Sequence, residues 1–294
     1  MSDIHRVPLV YIAGSSHSGS TLIDLVIGSH TRIESLGEAK KIPKILGSLQ
    51  SGFQPKPVCS CHAPIVDCDF WKSALQFETP DSSQRERITF DSSADLAMAR
   101  RALTFRNKSV LLDSSKNLGR LGFLAQEAGF STTCLHLTRD PRAVAFSAIR
   151  KMERAYGATA KNRMRLVCKH ALDWSALNRK IRRRYRKKSV ISYLHLRYED
   201  FVFGPEASLA AVFHELNLEF EPAQMRFRDV THHNIEGNRL RLQSGSDIKF
   251  DSGYLKALTS AEWLTASILL LPMLSLFGYG FSRRLPRLQS TLQE

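Results

Sequence analysis

Four apolar, largely β-branched runs are spaced along this chain: VPLVYIA (7–13), SVLLD (109–113), TTCLHLT (132–138) and SVISYLHLR (189–197). Stretches long enough for helices separate them. A run that is apolar without alternation needs cover on both faces, and a parallel sheet between helices supplies it. The expected class is therefore α/β. In such sheets ligands bind beyond the carboxyl ends of the strands. Polar and glycine residues gather there: Gly14–Thr21, Ser114–Asn117, Arg139–Arg142 and Tyr198–Asp200 follow the four runs in turn.

The 294 residues allow one large domain or two small ones. With no internal repeat and no low-complexity tail, a single domain over 1–294 is expected, carrying a largely helical insertion at about 31–108. A second helical region, from about 159 to 187, runs into RRRYRKK (182–188). That run reads as a solvated helix end, where cations suit the negative end of the dipole. The formal net charge of +14 favours an anionic partner: a nucleotide, a nucleic acid, an acidic glycan or a membrane surface. The start, MSDIHRVPLV, has no charged-then-apolar leader. The most apolar stretch, ASILLLPMLSLFGYGF (266–281), is short and broken by Pro272, so a buried C-terminal helix ending at Gly278 or Gly280 is expected. No membrane span is expected, and the expected compartment is the cytosol.

VYIAGSSHSGSTL (10–22) runs from a strand through a small-residue turn into a helix. Small residues let backbone N–H groups converge on an anion, and the helix adds its positive end. The nucleotide-hydrolase loop G-x-x-x-x-G-K-[ST] would place lysine after Gly19, yet Ser20 stands there. A second block, LHLTRDPRAVAFSAIRK (135–151), takes Arg139 off a strand and starts a helix at Pro141. Ser147 lies about two turns along. An arginine and a hydroxyl so placed can grip one phosphate from two sides; the alternative is an Arg139–Asp140 surface pair.

Together the two blocks resemble the sulfotransferases that use 3'-phosphoadenosine 5'-phosphosulfate (PAPS). The resemblance implies a three-layer α/β/α sandwich of the P-loop nucleotide-hydrolase type. It implies that Ser18, Gly19, Ser20 and Thr21 hold the 5'-phosphosulfate, and that Arg139 and Ser147 hold the 3'-phosphate. LRYEDFVFGP (196–205) is similar to the family's Tyr-Glu-Asp segment, which would put Tyr198 near the adenosine. HHNIEGNRLR (232–241) lies where the family has a late loop returning to the cofactor, and Gly237, Asn238 and Arg241 are the matching positions. Sulfuryl transfer has no γ-phosphate to manage, which accounts for the missing lysine.

Transfer to a hydroxyl needs a base, and positive groups for the leaving phosphate. LGEAKKIPKIL (36–46) resembles the segment of tyrosylprotein sulfotransferases that carries their catalytic Glu, so Glu38 is the expected base. Lys116, in LLDSSKNLGRL (111–121), is expected to face the sulfuryl group, and His233 is a weaker candidate for contact with it. His17 departs from the family's Lys or Arg. Nearby anionic oxygens would raise its pKa and favour imidazolium.

CSCHAPIVDCDFW (59–71) places Cys59, Cys61, His62 and Cys68 close together, all of zinc-ligand type. Similar sulfotransferases often carry a Cys-x-Cys…Cys-x-Phe-Trp segment with Gly where His62 stands, which argues against His62 being required. Reduced thiols in a packed loop are expected, with structural zinc as the alternative.

The expected activity is direct, in-line sulfuryl transfer from PAPS to a hydroxyl, or an amine, without a metal. The acceptor could be a glycan, a small molecule or a peptide tyrosine. No nucleic-acid partner is expected. Two other readings are a small-molecule kinase on the same sandwich, opposed by the absent lysine, and a non-catalytic nucleic-acid-binding protein.

Overall fold

The computed structural model describes residues 6–45, 58–76, 92–156, 162–187 and 191–283. Within these lies a five-stranded sheet of β1 (Val7–Gly14), β2 (Ile33–Ser35), β3 (Val110–Asp113), β4 (Phe130–Thr138) and β5 (Ser192–Arg197). All pairings are parallel, and the spatial order is β2-β3-β1-β4-β5. The chain leaves β1 toward one edge and returns past it toward the other. The strand order therefore reverses around β1, and ligands of open α/β sheets bind at such a reversal.

The two-sided burial expected from the apolar runs is present. Along β1, Leu9, Tyr11 and Ala13 point into one core and Val10 and Ile12 into another. The first core packs α2 (Asp69–Leu75), α3 (Ser92–Arg106) and α4 (Leu118–Leu124). The second packs α1 (Ser20–Gly28), α7 (Tyr198–Phe203) and α8 (Pro205–Glu215). The result is the expected sandwich of helix, sheet and helix. Helices α5 (Pro141–Tyr156) and α6 (Arg163–Tyr185) follow β4, with Pro141 opening α5 as read from the sequence.

Three details differ from the sequence reading. Residues 33–35, inside the stretch expected to be largely helical, form the edge strand β2, paired with β3 through Ile33–Val110 and Ser35–Leu112. A three-residue strand reading IES is too short and too polar to register as an apolar run. The apolar C-terminal stretch is not one buried helix but two, α10 (Ser260–Leu269) and α11 (Leu271–Leu276), after a short α9 (Gly253–Ala257). Pro272 cannot donate a backbone bond to the preceding turn, so the helix restarts there. Ile268, Leu271 and Leu276 are exposed. Among the described residues, no helix is long and apolar enough to cross a membrane. Arg182, Arg183 and Arg184 form the last turn of α6, as expected of a helix end, while Tyr185 beside them is buried.

Candidate active site

Between β1 and α1 the backbone turns in a space that only glycine fits. A Cβ on Gly14 would lie 2.3 Å from the Leu137 carbonyl oxygen, and one on Gly19 would lie 2.3 Å from the Tyr198 ring. Gly19 also has φ 89°. As the N-cap of α1 it has no side chain to cap the helix; its carbonyl accepts from Leu22 N at 3.0 Å and Ile23 N at 3.3 Å, and no side-chain cap covers the N–H groups of Ser20 and Thr21. Among the described residues, the Oγ atoms of Ser15 and Ser18 are buried without a hydrogen-bond partner. Unpaired buried hydroxyls are costly unless something satisfies them.

Lys116 supplies the cation that the loop itself lacks. Its Nζ donates to Ser20 Oγ at 2.8 Å, the very residue standing where a nucleotide hydrolase has lysine. It also donates to Glu38 Oε1 at 2.8 Å and to the Ser114 carbonyl at 3.2 Å. Lys116 holds this post in a left-handed conformation, φ 54°, which is unfavourable for a side-chain residue. Its neighbours impose it. Asp113 Oδ1 accepts from Ser115 N, and the buried Tyr11 hydroxyl both donates to the Asn117 carbonyl and accepts from Asn117 N.

Glu38 precedes a one-turn 3-10 helix, Ala39–Lys41, but its carboxylate makes no capping bond to it. The carboxylate is free for Lys116, with Lys40 Nζ at 4.0 Å from its other oxygen. Glu38 N donates to the Ile235 carbonyl at 3.1 Å. The late segment thus folds over the site: a Cβ on Gly237 would lie 3.3 Å from Thr21 Oγ1 and 3.9 Å from Glu38 Oε1, and Asn238 N donates to Thr21 Oγ1 at 3.3 Å.

Arg139 leaves β4 and turns back to the loop. One terminal nitrogen donates to the His17 carbonyl at 3.2 Å, and the other lies 3.1 Å from Asp251 Oδ2. Its guanidinium sits 4.6 Å above the Tyr198 ring, and its buried Nε has no hydrogen-bond partner among the described residues. The alternative Arg139–Asp140 surface pair is not formed, since Asp140 is taken by Arg142 at 2.8 Å in the interior. Ser147 is partly buried on α5, two turns beyond the start of that helix.

His17 is half-buried in the loop. Its pKa is pushed down to about 4, first by burial and then by Lys151, Arg139, His170 and Lys116. The sequence reading weighed only anionic oxygens of a ligand. The fold buries the imidazole and brings Lys151, Arg139 and Lys116 near it, and both effects favour its neutral form.

Two expectations about the late segment change. Arg241 reaches the cysteine loop, with one terminal nitrogen 3.4 Å from Ser60 Oγ and 3.5 Å from the Asn234 carbonyl. His233 also lies at the cysteines, its Nδ1 3.3 Å from Cys68 Sγ. His62, which stands among the cysteines in sequence, is exposed. Sequence reading missed Asp251, which no motif marks, and Lys151, which was visible one helical turn after Ser147.

The site therefore combines a small-residue loop at a helix start, the buried Arg139, the partly buried Lys116 and a carboxylate paired with Lys116. Two solved structures are similar to the chain in fold. The sulfotransferase domain from the Synechococcus PCC 7002 olefin synthase is 18% identical, with a TM-score of 0.57, covering 95% of this chain and 98% of that one. The sulfotransferase domain from the curacin biosynthetic pathway is 17% identical, with a TM-score of 0.53, covering 94% and 99%. At these identities the likeness is one of fold. No curated protein sequence matches the chain. The model of the sulfotransferase family matches residues 8–222, which takes in β1, the phosphate loop, Glu38, Lys116, the Arg139–Ser147 block and Tyr198. On that match, over more than half its length, the chain belongs to the sulfotransferase family.

Proposed function

We propose that this protein transfers a sulfuryl group from PAPS to a hydroxyl, or an amine, with Glu38 as general base. One observation carries the proposal: the Lys116 ammonium bridges Ser20, at the mouth of the anion loop, to the Glu38 carboxylate.

The residues present fit an anionic nucleotide. Ser15 Oγ, Ser18 Oγ and Arg139 Nε are buried polar atoms without a hydrogen-bond partner among the described residues. Ser18, Gly19, Ser20 and Thr21, with the first N–H groups of α1, hold the 5'-phosphosulfate. Arg139 and Ser147 hold the 3'-phosphate, and Tyr198 stacks beside the adenosine. Gly237 and Asn238 close the late loop on Thr21. Arg241 acts at one remove, by securing Ser60 and Asn234. When bound, PAPS supplies a sulfuryl group activated by its phosphate leaving group.

Glu38 accepts the proton of the acceptor hydroxyl as that oxygen becomes a nucleophile. Lys116 orients the carboxylate and lies where negative charge grows on the transferred group. His17, in the loop, donates a hydrogen bond to the departing phosphate. None of these roles calls on a metal. The family and the shared fold support sulfotransfer in general; the donor, the direct in-line course and a single domain acting in the cytosol are part of the proposal. The acceptor class is a hydroxyl-bearing glycan, small molecule or peptide tyrosine.

The deciding experiment is calorimetric titration with 3',5'-ADP, 5'-AMP and ATP. A strong preference for 3',5'-ADP, removed by Arg139→Ala, is expected. Equal affinities would overturn the proposal.

A further inference from the structure

Cys59, Cys61 and Cys68 come together with His233, which is 165 residues beyond Cys68. Their four ligand atoms all lie within 4.8 Å of one another. Cys68 Sγ is 3.7 Å from both Cys61 Sγ and Cys59 Sγ, and His233 Nδ1 is 3.3 Å from Cys68 Sγ and 3.7 Å from Cys59 Sγ. A disulfide needs sulfurs about 2.05 Å apart, so these thiols are unpaired. Tetrahedral zinc with Zn–S of about 2.3 Å and Zn–N of about 2.0–2.1 Å has S···S edges of about 3.8 Å and S···N edges of about 3.6 Å. Four of the six separations, at 3.3–3.7 Å, are close to those values, and all lie within 4.8 Å.

We propose that Cys59, Cys61, Cys68 and His233 bind a structural Zn²⁺ ion. Three thiolates and an imidazole are a soft donor set, suited to zinc and not to magnesium or calcium. Four protein ligands close the coordination shell and leave no open position for chemistry. The ion's role is to staple two distant segments together.

The surroundings are built for such a staple. A left-handed turn at His62, φ 69°, sends the loop back on itself. Cys59 N donates to the Ala63 carbonyl at 2.9 Å, and Cys68 N to the Pro64 carbonyl at 3.0 Å. The His233 ring stacks on Phe70 at 4.8 Å, and Trp71 Nε1 donates to the His233 carbonyl at 2.9 Å. Cys59 and Cys68 are fully or almost fully buried.

The staple bears directly on the site. Next to His233, Asn234 bonds Asp24 of α1 and Ser35 of β2 through its side chain, and its carbonyl accepts from Ser60 N at 3.1 Å. Ile235 then holds the Glu38 backbone. Zinc would therefore set the position of the late loop and, through it, of Glu38. This site stands whether or not PAPS is the donor.

The test uses the untagged full chain, purified under reducing conditions. Elemental analysis should find about one zinc per chain, and zinc-edge X-ray absorption should show three sulfur ligands and one nitrogen. His233→Ala and Cys61→Ser should lower zinc content about tenfold or more, while His62→Ala, at an exposed residue, leaves it unchanged. Chelation of the wild-type protein should lower its melting temperature, and added zinc should restore it. Absence of zinc from the wild-type protein, a different ligand set, or zinc lost by His62→Ala but kept by His233→Ala would overturn the assignment. The absorption measurement needs no variant, so it decides the question even if a substituted chain fails to fold.

Discussion

Lys116 Nζ stands 2.8 Å from Glu38 Oε1 and 2.8 Å from Ser20 Oγ, so one ammonium joins the Glu38 carboxylate to the loop before α1. A general base contributes about 10²–10⁴-fold to a rate. Glu38→Gln, which keeps the shape, should lower kcat by about 10²-fold or more and leave 3',5'-ADP affinity nearly intact. Lys116→Met should lower both. Steady-state rates alongside nucleotide titrations separate the two. Unchanged kcat in Glu38→Gln would remove Glu38 from the reaction.

Arg139 and Asp251 form an ion pair in which the carboxylate is about half-exposed. A phosphate arriving at Arg139 has to compete with that carboxylate. Exposed ion pairs are worth about 0.2–1 kcal/mol, so Asp251→Asn should tighten 3',5'-ADP binding by at most about fivefold. The gain should vanish with 5'-AMP, which has no 3'-phosphate. Weaker binding in Asp251→Asn would mean that the aspartate positions Arg139 and does not compete for it.

His17 has a pKa near 4 in the free protein, lowered by burial and then by the cations around it. An anionic nucleotide offsets those cations and raises it. A pKa that rises on binding means proton uptake, so nucleotide affinity should increase as pH falls from about 8 toward 6. Calorimetry in two buffers of different ionisation enthalpy measures the uptake. His17→Gln should abolish it. Equal uptake in both proteins would assign the proton elsewhere.

Glu199 is buried, and its pKa is raised to about 7, first by burial and then by Asp140. Its carboxyl accepts from Asp140 N at 2.9 Å and from the Tyr279 hydroxyl at 3.1 Å. The folded state keeps a proton that the unfolded chain releases above its ordinary pKa of 4.5. Its contribution to stability is therefore whole below pH 4.5 and is lost as pH rises through about 7. Glu199→Gln should flatten that decline, worth at most a few kcal/mol between pH 5 and 8 at about 1.4 kcal/mol per pKa unit. Denaturant midpoints across that range provide the check; parallel profiles would show that Glu199 does not titrate there.

Much of the fold was legible because two-sided burial leaves a local trace. Four of the five strands read as apolar runs, and the polar residues after them mark the binding edge. β2 left no such trace, since only one of its three residues is apolar. The phosphate loop was legible as a motif. Its replacement cation was legible only as a nearby lysine, because what matters is the left-handed turn that aims Lys116 at Ser20. His17 was seen as an oddity, but its charge state depends first on burial and then on Lys151, Arg139, His170 and Lys116, whose nearness no spacing records. Among the cysteines, His62 was the neighbour in sequence and His233 the neighbour in space.

The sequence by itself determined the α/β class, the order of the glycine- and cation-bearing segments that follow the strands, and the family, because these depend on short-range patterns of apolar, glycine and cationic residues. Only the tertiary structure decided which side chains meet: Lys116 with Glu38, Arg139 with Asp251, and His233 with the three cysteines. Such meetings follow from chain crossings at the carboxyl edge of the sheet, where residues far apart in sequence are brought within hydrogen-bonding distance.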